Sequence, residues 1–182
     1  MAGFSGFLLK LFGWSVDISV PDYPKCIICV APHTSNWDFI VGKLAYASVG
    51  RKAGFLMKDT WFFWPLGAFF RSIGGIAVPR RKSLERPLTE IVTEKFRNAD
   101  RLALAITPEG TRSRNAVWHT GFLHIALNAG VPIVLGVIDY SLKKVIIERT
   151  FVPTGDIDAD MRAVKEYYKP FKGKYPAKFT TE

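Results

Sequence analysis

Cysteine is nearly absent from the 182-residue chain, with only Cys26 and Cys29 present. Two thiols are too few for a disulfide framework, which makes a reducing compartment the default setting. No apolar run reaches the roughly 18 to 20 residues that a membrane-crossing helix needs, so a chain of this kind lies on a bilayer if it meets one. Gly-X-Y and heptad periodicities are missing, as are internal repeats and low-complexity linkers, which excludes collagen and long coiled coil. A Gly-x-Ser-x-Gly elbow is absent too, against a serine hydrolase of the α/β type. No basic stretch precedes the first apolar residues and no small-residue cleavage site follows them, against a signal peptide. Acidic residues are in short supply: 16 Asp and Glu stand against 25 Lys and Arg, a formal charge of +9.

What is present fits one domain spanning 1–182, long enough to bury a proper core. A 48% hydrophobic fraction excludes disorder. The charge calls for an anionic partner, either nucleic acid or the headgroup layer of an anionic membrane. Phe and Trp dominate the aromatics and cluster at Trp61-Phe62-Phe63-Trp64-Pro65-Leu66 and Ala68-Phe69-Phe70. They are not spaced between basic residues as base-stacking platforms, so the expectation is a membrane surface and no nucleic acid. The aromatic cluster itself is open to three readings: a tunnel for an apolar chain, a membrane-facing ridge or plain core. Residues 1–14 read as a short amphipathic helix ending at Trp14, either interfacial or packed on the domain. Residues 167–182, with Tyr, Phe, Lys and Pro interleaved, read as a flexible basic tail able to touch anionic lipid.

Strands are expected at 25–31, 54–57, 76–78, 101–106, 132–138 and 143–151. Helices are expected at 36–49, with Phe39, Ile40, Leu44 and Ala47 on its apolar period, at 83–98 capped by Ser83, at 121–128 stopped by Gly130, and at 159–168 capped by Asp158. Such alternation predicts an α/β sandwich with a mostly parallel central sheet flanked by helices.

Three segments could hold chemistry. His33-Thr34-Ser35-Asn36-Trp37-Asp38 places a histidine and a carboxylate with four residues between them at a strand-to-helix junction, outside the carboxyl end of a strand. The first helical turn can bring Asp38 back to the imidazole, fixing its tautomer and leaving the other nitrogen to take a proton. Thr107-Pro108-Glu109-Gly110-Thr111-Arg112-Ser113-Arg114 follows a buried strand, and it joins a glycine turn to two guanidinium groups that suit anions. Gly74 to Val78 leads through Pro79 into Arg80-Arg81-Lys82, a cationic strand end. His119 and His124 lack a carboxylate at matching spacing. Asp156, Asp158 and Asp160 lack the glycine and distal glutamate of a calcium loop, so helix capping is the expectation for them. Cys26 and Cys29 fall on opposite strand faces and suit burial, not zinc.

Taken in order, these blocks resemble the glycerolipid acyltransferase family, with its His-x4-Asp block, Gly-rich block ending in Arg, Phe-Pro-Glu-Gly-Thr-Arg-Ser block and Val-Pro-Ile-Val-type block. Here they are His33 to Asp38, Gly74 to Arg80, Thr107 to Ser113 and Val131 to Val134, with Met57-Lys58-Asp59 and Pro65-Leu66-Gly67 between the first two. The resemblance spans about residues 28–138. Pro32, Ala77, Pro79 and Thr107 depart from the family pattern, and Ala77 and Pro79 fall in the block nearest the acceptor headgroup. The resemblance implies a lysophospholipid acceptor, 1-acylglycerol 3-phosphate, and acyl-CoA or acyl-carrier protein as donor. It implies His33 as general base oriented by Asp38, and no metal or other cofactor. Backbone N–H groups around Gly110 would meet the oxyanion, with Thr111 in the same loop. Glu109 would help hold the acceptor, and Arg80, Arg112 and Lys58 would bind its phosphate. The implied location is peripheral, on the cytoplasmic face of the inner membrane. Another lysolipid acceptor, such as a lyso-aminolipid, and a non-catalytic basic lipid-binding protein are the alternatives.

Overall fold

A computed structural model describes residues 2–79 and 86–182. The chain runs α1 Ala2–Leu11, β1 Ser15–Ile18, β2 Lys25–Ala31, α2 Asn36–Ser48, β3 Gly54–Lys58, α3 Leu66–Ser72, β4 Gly75–Val78, α4 Leu88–Asn98, β5 Leu102–Ile106, α5 Gly121–Ala129, β6 Ile133–Asp139, β7 Lys144–Phe151 and α6 Ile157–Tyr168. One seven-stranded sheet in the order β1-β7-β6-β2-β5-β3-β4 holds them together. Every pairing is parallel except the β6–β7 hairpin. The α/β architecture expected from the alternating pattern is the one observed.

Strand periodicity divides the core into two layers. Ile27, Cys29, Ile133, Leu135 and Val137 point to one face, where Phe96 of α4, Phe122 and Leu123 of α5 and Val164 and Tyr168 of α6 cover them. Cys26, Ile28, Val134 and Ile138 point to the other, under α1 and α2. The two cysteines therefore lie on opposite faces and are buried. Burial pushes their thiols up, to about 11 for Cys26 and about 12 for Cys29, leaving them unreactive as nucleophiles. Helix α5 ends as expected at Gly130, whose φ of 63° is the left-handed turn that glycine adopts without a Cβ penalty.

Several expectations are corrected. In α2 the buried positions are Asp38, Val41, Ala45 and Tyr46. Phe39 and Ile40 face a cavity instead, so they are partly open. The cap of α6 is Asp156, whose Oδ1 accepts the Ala159 N–H at 3.0 Å. Asp160 is buried and accepts from Thr154 and Gly155. Helix α4 begins at Leu88, and Ser83, read as its cap, falls outside the described residues. The tail read as flexible is docked. Tyr168 is fully buried with its hydroxyl donating to the Cys29 carbonyl at 2.5 Å, and the Thr180 carbonyl accepts from the Trp118 indole at 3.1 Å.

Candidate active site

Strand β2 ends at Ala31 and α2 begins at Asn36; the first block starts in the four residues between them and ends in the first turn of α2. Ser35 is extended and caps α2, its Oγ accepting the Trp37 N–H at 3.2 Å. Asp38, in the first turn, reaches back so that Oδ2 accepts the N–H groups of Thr34 and Ser35, both at 2.8 Å. This reciprocal capping box fixes the carboxylate before any partner is considered. His33 Nδ1 lies 3.2 Å from the same oxygen. The second oxygen, Oδ1, accepts the hydroxyl of Tyr140 at 2.8 Å. Asp38 is thus buried with its lone pairs engaged. The His33 side chain, 17% exposed against 1% for Asp38, keeps access to the cavity. With Nδ1–H turned to the carboxylate, Nε2 is the nitrogen free to accept a proton.

Glu109 enters from the loop after β5, and its Oε1 accepts the backbone N–H of His33 at 2.8 Å. Burial pushes its carboxyl up to about 8; the His33 N–H opposes that shift and the charge of Asp38 adds to it. At neutral pH the group holds its proton. Its observed partner is the His33 loop, and it is not part of the cavity wall. Gly110 has φ of 66°, and a Cβ there would collide with the His119 ring, so the turn demands glycine. Its own N–H is taken by the Thr107 carbonyl at 3.2 Å. The Asn115 side chain braces the loop by donating to the carbonyls of Glu109 and Val117.

A cavity of about 760 Å³ opens between α2 and the sheet. Ile28, Val30, Gly136 and Ile138 form its floor, Phe39, Gly42 and Tyr46 its roof, and Phe55 and Met57 a side wall. His33, Asn36, Thr107 and Arg112 line it at the carboxyl ends of β2 and β5, where open α/β sheets bind ligands. From there it follows α2 toward Tyr46, a run of about 15 Å at 1.5 Å per helical residue. Arg112 donates to the Asn36 side chain across the entrance. Lys43 lines the cavity, its ammonium donating to the carbonyls of Ala53 and Ile73 at 2.8 and 2.7 Å; burial holds it below the usual lysine range.

The structure thus brings His33, Asp38, Glu109 and Arg112 together. Thr111 is exposed in the same loop, its Oγ1 accepting the Ser113 N–H. Lys58 is exposed at the end of β3 and does not line the cavity. Arg80 lies outside the described residues. Within Trp61 to Phe70 no residue lines the cavity, so this stretch is not its wall; Trp61, Phe63, Trp64 and Phe69 are exposed instead. Among the described residues no group of His, Cys, Asp and Glu is arranged to hold a metal ion.

In comparison with known proteins, the family model described as Acyltransferase matches residues 20–138. The chain belongs to the acyltransferase family. The match takes in the His33 block, the Gly74 block, the Glu109 loop and β6. Within the family, the chain is 28% identical over 155 residues to a 1-acyl-sn-glycerol-3-phosphate acyltransferase of Haemophilus influenzae, covering 82% of this chain and 64% of that one. It is 28% identical over 156 residues to the Escherichia coli K12 protein of the same description, covering 79% and 60%. The chain therefore spans a little over three-fifths of the length of these relatives. The crystal structure of the 1-acyl-sn-glycerophosphate (LPA) acyltransferase PlsC from Thermotoga maritima superposes with a TM-score of 0.60 at 18% identity, over 93% of this chain and 77% of that one. At that identity the likeness concerns the fold.

Proposed function

We propose that the chain transfers a fatty acyl group from a thioester donor, acyl-CoA or acyl-carrier protein, to the free hydroxyl of 1-acylglycerol 3-phosphate, giving phosphatidic acid. The observation on which this rests is the His33–Asp38 pair at one end of a long apolar cavity, inside the segment that matches the acyltransferase family. The names of the relatives supply the acceptor. In the proposed reaction His33 Nε2 takes the proton of the acceptor hydroxyl as its oxygen attacks the thioester carbonyl. Collapse of the tetrahedral intermediate breaks the C–S bond, and the imidazolium returns the proton to the departing thiolate. The buried, high-pKa cysteines fit a direct transfer without an acyl-enzyme. The thioester supplies the driving force, so the reaction calls on no cofactor.

The cavity takes an acyl chain. Its volume lies within the roughly 300–1,000 Å³ of small-molecule sites. Arg112 at the entrance and Arg80 bind the acceptor's phosphate, because a planar guanidinium engages two oxygens at once, with Lys58 adding a point charge. Glu109 acts through the His33 loop it holds. The exposed apolar side chains of α1 and of Trp61 to Phe69 seat the protein on the cytoplasmic face of the inner membrane, where the +9 charge meets anionic lipid.

The test is transfer from palmitoyl-CoA, and in parallel from palmitoyl-acyl-carrier protein, to 1-acylglycerol 3-phosphate and to phosphate-free monoacylglycerol in mixed micelles. The expected result is phosphatidic acid with at least one donor and a preference for the phosphate-bearing acceptor. No transfer to that acceptor from either donor would overturn the reading and pass it to another lysolipid.

A further inference from the structure

Asp38 Oδ2 is satisfied within its own loop, but Oδ1 depends on a residue from another part of the fold. Tyr140 stands just beyond β6 and donates its hydroxyl to Oδ1 at 2.8 Å. Its ring sits edge-on against Trp14, with centroids 4.9 Å apart. Its backbone is also tied down: the Tyr140 N–H donates to the Lys172 carbonyl at 2.9 Å, and the Lys172 N–H returns a bond to Asp139 Oδ2 at 3.2 Å. Burial would raise the Asp139 carboxyl. Bonds from the Ser141 hydroxyl and from the N–H groups of Leu142, Lys172 and Ser141 bring it below the usual carboxylate range.

The segment that clamps Tyr140 also clamps the histidine loop. The Tyr175 N–H donates to Thr34 Oγ1 at 3.2 Å. Gly173 packs so closely that a Cβ there would lie 2.7 Å from that same oxygen and 3.1 Å from the Pro32 side chain. The Thr34 N–H is in turn one of the donors to Asp38 Oδ2. Residues 172–175 thus fasten both sides of the carboxylate.

Resting on the reading of His33 as the base, we propose that Tyr140 is a positioning residue for the His33–Asp38 pair, held in place by the docked C-terminal segment. It does not itself line the cavity and acts through Asp38, which does. Its hydroxyl shares the carboxylate's charge. Without that bond the carboxylate loses the one donor that holds it from outside its own loop, and the line from Asp38 through His33 to the acceptor hydroxyl is less well fixed. Burial, reinforced by the bond to Asp38, pushes the Tyr140 hydroxyl far up, so it remains a donor throughout the working range. The ionisable groups around the carboxylate are His33 from its own loop, Glu109 from the loop after β5, and Tyr140 with Tyr175 nearby from the C-terminal segment.

The experiment compares the full chain with its Tyr140→Phe and His33→Ala variants in the same transfer assay, as pH profiles of kcat/KM together with kcat and KM at the optimum. Tyr140→Phe keeps the ring and its packing on Trp14. The expected result is a kcat about tenfold lower, in line with other groups that act through a functional residue, and KM values within about twofold of the parent. The fall holds across the pH profile, and Glu109 is common to parent and variant. A Tyr140→Phe profile superimposable on the parent's, with His33→Ala inactive, would overturn the role of Tyr140 while leaving the base in place. So would a loss carried by KM alone with kcat unchanged. An active His33→Ala protein would overturn both readings together.

Discussion

Asp38 meets three demands with two oxygens: it caps α2, faces the imidazole of His33, and accepts from Tyr140. The neighbouring carboxyl, Glu109, has the opposite character, because it is buried beside that charge with a single backbone N–H as its donor. Its ordinary value of 4.5 rises to about 8 in the folded chain. The folded state therefore holds a proton that the unfolded chain releases, and stability from this group is complete below about pH 4.5 and is lost as pH rises through about 8. Glu109→Gln keeps an oxygen for the His33 N–H and removes the titration. Thermal unfolding followed from pH 5 to 8.5 is expected to show the variant gaining on the parent steadily across that window. A constant difference would contradict the buried, protonated state. The pairing of His33 with Asp38 was legible from the three blocks taken in order, with a spacing that lets a capping turn fold the chain back on itself. Tyr140 was not, since 102 residues separate it from Asp38 and only the β6–β2 pairing brings them together.

Among the elements, α2 does the most for the site, since its first turn orients the histidine and its inward face roofs the cavity. Long apolar stretches such as β2, β6 and α5 were readable to within a residue or so because the two strands are buried on both faces and the helix along one. The short elements were harder. Strand β1 has four residues, Ser-Val-Asp-Ile, with only partial burial, and owes its strand geometry to pairing with β7. The inner face of α2 was misjudged because an empty cavity and a packed core place the same demand on Phe39 and Ile40: apolar side chains turned inward. The docking of residues 172–180 was equally hidden. Local composition there is basic and turn-rich, and the groups that fix it are backbone amides meeting Asp139, Thr34 and Trp118.

At the scale of the whole molecule, α4, α5 and α6 seal one face of the sheet, whereas α1 and α2 cover the other and leave the cavity between α2 and the strands. Helix α1 buries Leu9 against α2 and exposes Phe4, Phe7 and Leu11, with Phe12 just beyond its end, each more than 60% open. An apolar stripe of that kind on a basic protein suits an anionic bilayer surface. Co-sedimentation with vesicles containing phosphatidylglycerol is expected for the parent chain. It should weaken at least about tenfold in a Phe4→Ser, Phe7→Ser double variant, since each large apolar side chain contributes about 1.5–3 kcal/mol on burial. Equal binding by the two would remove α1 from the membrane contact. The central claim, however, is that the His33–Asp38 pair drives acyl transfer to a hydroxyl. The most direct measurement is the rate of phosphatidic acid formation by His33→Ala protein whose unfolding temperature matches the parent's. A fall of at least about a hundredfold is expected, the low end of what a general base supplies, and a folded variant with the parent's rate would contradict that role for the pair.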